Sequence, residues 1–227
     1  SGIVVIKYTR VLPGTSSIAF DGTGDYLSVP DSSDWDIGTN FTAECWVYPT
    51  ETSADRAWIS QYESDSDTWY LRSESANQVN FTFWSGGSAV VNFSTGSSVL
   101  TDDAWNHVAL VKDGNDWEIF VDGTSEATLT DTDTDTFSGA LAIGTVLRST
   151  PQPFQGYMDE IRISNSARYT TTFTPSTTEF TADANTMLLI HSNWDGGLGA
   201  DSSGNFNTFT PTNLVASDKM VDSPTNN

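Results

Sequence analysis

The sequence predicts an all-β chain folded as a two-sheet antiparallel β-sandwich. Three observations carry this. Ser and Thr supply about a quarter of the 227 residues and aromatics 12%, the composition of strands with half-buried faces. Short apolar alternations, punctuated by Gly, Asp and Asn, recur at roughly 8 to 12 residue intervals. Helical periodicity is all but absent, because no stretch of a dozen residues places apolar side chains at i, i+3, i+4 and i+7.

The elements follow in order. Ile3 to Tyr8 is a strand-sized apolar run, and Val11 to Ser17, with Pro13 and Gly14, is a linker after it. Ser17 to Phe20 and Tyr26 to Val29 flank the turn Asp21-Gly-Thr-Gly-Asp25. Phe41 to Tyr48 alternates cleanly, with Phe41, Ala43, Cys45 and Val47 on one face and Thr42, Glu44, Trp46 and Tyr48 on the other. Bulk on both faces predicts a central strand. Trp58 to Tyr62, Trp69 to Ser73, Gln78 to Trp84 and Ala89 to Ser94 form a meander joined by Ser, Asp and Gly. Trp105 to Lys112 and Trp117 to Val121 form a hairpin across Asp113-Gly-Asn-Asp116. The Asp122-Gly123 pair predicts a two-residue type I′ turn, which needs positive φ at both positions, with a return strand over Ser125 to Leu129. The Thr130 to Thr136 run alternates Thr and Asp without glycine and reads as a solvated loop rather than a calcium-binding repeat. Leu141 to Ile143 and Gly156 to Ile163 complete the main body.

Nine Lys and Arg stand against 30 Asp and Glu, a formal net charge of −21. Phosphate binding needs clustered cations and these stand singly, which excludes a nucleic-acid footprint. An anionic membrane surface is disfavoured for the same reason. No apolar run approaches the ~20 residues of a membrane-spanning helix, so no membrane insertion is expected. Cys45 is the single cysteine, so neither an internal disulfide nor a cysteine zinc cage forms, and its apolar setting reads as a buried structural thiol. With only His107 and His191 present, the metal chemistry left open is that of hard cations on oxygen. His107 alternates with Trp105, Ala109 and Val111 and reads as a packed, hydrogen-bonded histidine. Arg162 and Arg168, near Glu160, read as surface or edge ion pairs. No charged leader precedes an apolar segment, and the chain reads as a piece of a longer polypeptide.

Five phrases stand in order: Ser17-Ile-Ala-Phe-Asp-Gly-Thr-Gly-Asp-Tyr-Leu27, Phe41-Thr-Ala-Glu-Cys-Trp-Val-Tyr-Pro49, Trp105-Asn-His-Val-Ala-Leu-Val111, Ile119-Phe-Val-Asp-Gly123 and Phe154-Gln-Gly-Tyr-Met-Asp-Glu-Ile-Arg-Ile163. Together, over Ser17 to Tyr169, they resemble the laminin G-like or concanavalin A-like lectin/glucanase jelly roll. Ser1-Gly-Ile-Val-Val-Ile-Lys-Tyr8 is similar to the closing strand of glycine-rich domains in phage tail-fibre and adhesin proteins. Leu188-Leu-Ile-His-Ser-Asn-Trp-Asp195 resembles the family's opening element, standing late in this chain. It either begins a second repeat or supplies the missing edge of this sandwich. The second is preferred, because an apolar strand without a partner exposes its edge. On this reading residues 1–15 end a preceding domain and linker, 16–192 form the jelly roll, and 193–227 are a linker or the start of a following module.

The resemblance implies recognition by aromatic faces beside short polar groups. Trp58, Trp69, Tyr70 and Trp84 are the candidate ligand-binding residues, with Asp65 and Asp67, because loops 63–68 and 85–88 bring Asp, Ser and Gly beside the rings. The competing reading is that these rings fill the core. The resemblance also implies a structural Ca2+ on Asp21, Asp25 and Asp159, where a two-glycine turn exposes carbonyls beside carboxylates. Against it, Asp21 and Asp25 serve only their own turn. Hydrolysis on this fold takes two carboxylates across one cleft. The chain offers adjacent Asp159 and Glu160, expected on opposite faces, and isolated Glu44 and Glu118, and it has no Gly-x-Ser-x-Gly elbow. No enzyme is expected.

Two functions stay open. One is a carbohydrate- or receptor-binding module of a larger fibre or adhesin, from a phage virion, meeting a glycan or cell-surface receptor. The other is a purely structural spacer, decoration or filament-assembly domain. Both imply an extracellular or virion-surface location, contact with other chains of a fibre or virion, and compatibility with a homo-oligomer.

Overall fold

The structure, a computed structural model, describes residues 16–192 and 197–220. The apolar run Ile3 to Tyr8 and the preceding-domain expectation for 1–15 lie outside the described residues. Two antiparallel sheets face each other. The first holds β1 (Ser17–Asp21), β3 (Asn40–Pro49), β8 (Asn106–Asp113), β9 (Asp116–Val121), β10 (Thr124–Thr130), β12 (Gln155–Ser164), β13 (Thr186–Ile190) and β15 (Lys219–Met220). Its order is β10-β9-β8-β3-β12-β1-β15, with β13 also on β12. The second holds β2 (Tyr26–Val29), β4 (Arg56–Ser64), β5 (Asp67–Glu74), β6 (Gln78–Ser85), β7 (Ser88–Ser94), β11 (Ala140–Ile143) and β14 (Thr210–Thr212), in the order β14-β2-β11-β4-β5-β6-β7. The all-β sandwich expected from the alternations is the fold observed.

β3 is central, between β8 and β12. Phe41, Ala43, Cys45 and Val47 join the core between the sheets, the face the alternation assigned to them. The hairpin turn is also as expected, with Asp122 at φ 49° and Gly123 at φ 78° joining a register that pairs Val121 with Thr124. Glycine is needed there twice over, because a Cβ on Gly123 would stand 1.9 Å from the Phe173 carbonyl oxygen.

The late apolar strand lies in this sandwich. β13 pairs with Ile161 to Ser164 of β12, while β1 pairs with Gln155 to Met158 of the same strand. Residues beyond 192, expected to be a linker or the start of another module, contribute β14 against β2 and β15 against β1.

At the changeover between β1 and β13, β12 carries a bulge between Asp159 and Arg162, with Glu160 at φ 49°. A bulge shifts the two-residue alternation by one. Asp159 and Glu160 therefore do not divide between faces as expected: the Glu160 carboxylate reaches the outer side, accepting from the backbone N–H of Phe180 at 2.7 Å.

The outer side of the first sheet is covered by residues 165–185, which lay Ala167, Tyr169 and Phe173 on Ala109, Val111 and Phe120. Beneath this cover Glu44 is fully buried. It accepts from Arg162 Nε at 2.8 Å and Tyr169 OH at 2.8 Å, and His107 Nε2 lies 3.1 Å from Oε2. An ionised carboxylate only accepts, so Nε2 carries the proton. Glu44 is thus the hub of a buried network rather than isolated. Arg162, expected at the surface, is its partner, whereas Arg168 pairs with Asp183 near the surface. His107 is packed and hydrogen-bonded, as expected.

Candidate functional site

The outer side of the second sheet carries regular rows of polar and aromatic residues, of which Ser60, Thr68, Tyr70, Asn80 and Thr82 are buried and Tyr62, Trp84, Asn92 and Ser94 are partly or fully exposed. Cross-strand register aligns them in three rows: Tyr62–Thr68–Trp84, Ser60–Tyr70–Thr82–Asn92 and Ala57–Arg72–Asn80–Ser94. Alternation sends the intervening residues Trp69, Leu71, Phe81, Phe83 and Val91 into the core. The face therefore follows from period-two patterning.

Its polar groups are held in place. Asn80 Nδ2 donates to Asn92 Oδ1 and to Ser94 Oγ, each at 3.0 Å, and Thr82 Oγ1 donates to Asn80 Oδ1 at 2.8 Å. Arg72 Nε donates to Asn80 Oδ1 at 3.0 Å, and its guanidinium also pairs with Asp55 and Glu74 while lying 5.1 Å from the Tyr70 ring centre. Tyr70, Ala57 and Val146 form an apolar cluster against which half-buried Tyr62 and Trp84 pack.

The loop between β11 and β12 borders this face and is anchored to it. Gly144 N donates to the Trp58 carbonyl, Phe154 N to the Gly144 carbonyl, Ala57 N to the Gln152 carbonyl, and Ser60 Oγ to the Thr145 carbonyl. Gly144 sits at φ 89°, and a Cβ there would lie 2.4 Å from the Phe20 ring, so the loop path depends on that glycine. The loop carries Arg148 to 5.5 Å from the Tyr70 ring centre.

The six residues singled out from sequence divide. Tyr70 and Trp84 lie on the outer side of the sheet, where Trp84 is half-buried but Tyr70 is buried, 5% exposed, with the Arg72 and Arg148 guanidinium groups near its ring. Trp58 and Trp69 do not: both are fully buried in the core between the sheets. Trp69 and Tyr70 are neighbours in one strand and point to opposite sides, so only one of them can meet a ligand on either face. Trp58 sits at a register shift between Ala57 and Ile59, which turns it and Ile59 both inward. Asp65 and Asp67 occupy the β4–β5 turn, where Asp65 accepts from Tyr62 OH at 3.2 Å and Asp67 from Gly86 N at 2.9 Å. Tyr62, Asn80, Thr82, Asn92 and Arg148 were missed. Asn80, Thr82 and Trp84 stand at alternate positions of one predicted strand, a signal sufficient to group them. Arg148 lies on a loop without periodicity, and nothing in the sequence places it.

The proposed calcium ligands do not converge. Asp21 stands opposite Gln155 and Ile18 opposite Met158, so Asp159 is four ladder positions away from Asp21, about 13 Å at ~3.3 Å per residue. Asp159 is fully buried and accepts from the Glu160 N–H at 2.8 Å. Asp21 and Asp25 instead line a cleft with Asp218 and Gln155. The hydroxyl and N–H of Thr23 hold the Asp21 carboxyl below its usual range. Burial raises Asp25, with the like charges of Asp21 and Asp218 adding to the rise.

Elsewhere, Glu160, Glu179 and His191 bring potential ligand atoms within 4.8 Å of one another. His191 Nδ1 lies 2.9 Å from Glu160 Oε1. Burial alone would lower the imidazole pKa, but the hydrogen bond to Glu160 and the charges of Glu160 and Glu179 outweigh it and raise it. His191 is thereby the polar partner of the buried Glu160 carboxylate.

The family model described as concanavalin A-like lectin/glucanases superfamily matches residues 21–172. The chain belongs to this superfamily. No curated protein sequence matches it. Among solved structures of the same jelly roll, a Bacteroides ovatus protein to which carbohydrate binding is ascribed aligns at TM-score 0.65 and 20% identity, over 90% of this chain and 61% of that one. The chain therefore spans less than two thirds of that relative. The CBM40 domain of the Ruminococcus gnavus IT-sialidase, bound to α2,3-sialyllactose, aligns at TM-score 0.57 and 17% identity, over 70% of this chain and 95% of that one. A heptameric SAP-like pentraxin of Limulus polyphemus aligns at 0.61 and 15% identity, over 89% and 94%. At these identities the likeness to each structure is one of lectin/glucanase-superfamily fold.

Proposed function

We propose that this chain is a non-catalytic module that binds oligosaccharide on the outer face of its second sheet. The observation that carries the reading is the placement of half-buried Tyr62 and Trp84 on the same face as exposed Asn92, whose Oδ1 accepts from buried Asn80 and Thr82. Ring faces beside fixed donors and acceptors complement a sugar, which presents C–H patches and hydroxyls side by side. The carbohydrate-binding and sialyllactose-bound structures with this fold support the reading. Absence of catalysis is supported by the carboxylates themselves, since Glu44 and Glu160 are fully buried and each is engaged by a basic side chain, Arg162 and His191 respectively. We take the module to work outside the cell within a larger fibre or adhesin, where net negative charge maintains solubility.

Replacing Trp84 with Ala is expected to lower affinity for a bound glycan at least about tenfold, a loss of ~1.4 kcal/mol. The melting temperature should stay within roughly 4 °C, because the ring is only half-buried. The burial of Trp58 and Trp69 favours a second reading, a structural spacer without a ligand. A glycan array on which the wild type binds nothing, or on which Trp84→Ala binds as the wild type does, would hand the function to the spacer.

The calcium proposal narrows to the cleft of Asp21, Asp25 and Asp218, where a hard cation would relieve the crowding that raises Asp25. Millimolar calcium is expected to raise the melting temperature by several degrees in wild type and to lose that effect in Asp25→Asn. A melt indifferent to calcium and chelator leaves these carboxylates to their turn.

A further inference from the structure

We infer that the glycan held on this face is acidic, its carboxylate or sulfate paired by Arg148. This rests on the glycan-binding reading and adds the ligand's class. Among the described residues, Arg56, Arg72, Arg162 and Arg168 each pair with at least one carboxylate, and Arg148 pairs with none. In a chain where 30 acidic residues outnumber 9 basic ones, a half-buried guanidinium without a carboxylate is conspicuous. Its Nε donates to the Thr150 carbonyl at 2.9 Å, which orients the group and leaves the two terminal nitrogens for a ligand. Such a fork matches a planar or tetrahedral oxyanion with two parallel hydrogen bonds.

The surroundings suit a sugar that bears the anion. Arg148 lies over Tyr70 and also lines an open cleft of about 290 Å³ with Tyr26, Thr145, Val146, Pro151 and Pro153. Arg148 thus stands between the cleft and the side of the sheet that carries Tyr62 and Trp84. The anchored path of the β11–β12 loop fixes the cation before any ligand arrives, which limits the ordering cost of binding. The overall charge of −21 acts through salt with a screening length of about 8–10 Å. A polyanion needing many contacts is repelled by it, whereas one acidic sugar needs a single direct pairing.

The test is calorimetric titration of the intact chain with three oligosaccharides of equal length: uronic-acid-bearing, sulfated and neutral. The wild type is expected to bind at least one acidic form about tenfold or more tighter than the neutral one, and the two acidic arms show which anion it takes. Arg148→Gln should bring the affinity for the acidic ligand down to that for the neutral one and leave the melt unchanged. Arg148→Lys, which keeps the charge without the fork, should retain part of the preference. Equal wild-type affinity for neutral and acidic forms, or a preference that survives in Arg148→Gln, overturns the inference and leaves glycan binding standing. A wild type that binds none of the three overturns both.

Discussion

Glu44→Gln is expected to lower stability by about 3 kcal/mol or more, a fall in melting temperature of roughly 6 to 12 °C. The carboxylate is fully buried under residues 165–185, and three donors converge on it. Glutamine keeps the volume but removes the charge, leaving the Arg162 guanidinium, 8% exposed, without its counter-ion. It also turns an amide N–H toward donors that need an acceptor. The cover held by Tyr169 and by Phe180, whose ring lies 4.1 Å from the Arg162 guanidinium carbon, loosens with it.

The same residue sets an acid limb. Burial pushes the Glu44 carboxyl upward, but the hydrogen bond from His107 and the charge of Arg162 more than offset this and hold it below its usual range. A group depressed on folding contributes stability above its unfolded pKa, about 4.3 for glutamate, and loses it as pH falls toward the folded value. Wild type and Glu44→Gln should therefore differ most near neutral pH and converge below about pH 4. Parallel melting curves across that range would show that Glu44 is not ionised in the folded chain.

Trp69→Ala is expected to cost about 3–5 kcal/mol, measured as a shift of the denaturant midpoint. The ring is fully buried, packs edge-on against Phe41 at 5.9 Å and lies 6.3 Å from Phe81. Its Nε1 donates to Gln61 Oε1 at 3.0 Å, so truncation opens a cavity and also strips an acceptor on a residue only 1% exposed. Trp84→Ala, one strand over and on the opposite side of the sheet, should cost under about 1 kcal/mol while lowering glycan affinity about tenfold or more. This contrast tests the register directly. A Trp69→Ala protein as stable as the wild type would mean that the outer and inner faces of β5 have been exchanged.

Much of this architecture was legible because strand periodicity is local. Phe41 to Val47, the meander from Trp58 to Ser94 and the Asp122-Gly123 turn each announce themselves within a few residues. The errors fell where local periodicity is broken by a partner strand. The register shift beside Trp58 turns consecutive residues inward, and the β12 bulge moves Glu160 to the outer side. The calcium set failed for a related reason. Asp21 and Asp159 share neighbouring strands, but the antiparallel register carries them apart along the ladder.

The sequence alone determined the two-sheet sandwich, the central place of β3 and the hairpin turn, since alternation and turn chemistry are properties of neighbouring residues. Tertiary structure decided which side of each sheet stays open. The 165–185 segment covers one outer face and buries Glu44 in it, while on the other Tyr62, Trp84 and Asn92 stay partly or fully exposed. It also decided that Arg148, alone among the described arginines, meets no carboxylate. Such outcomes depend on where distant loops come to rest, and burial and charge pairing follow from that placement.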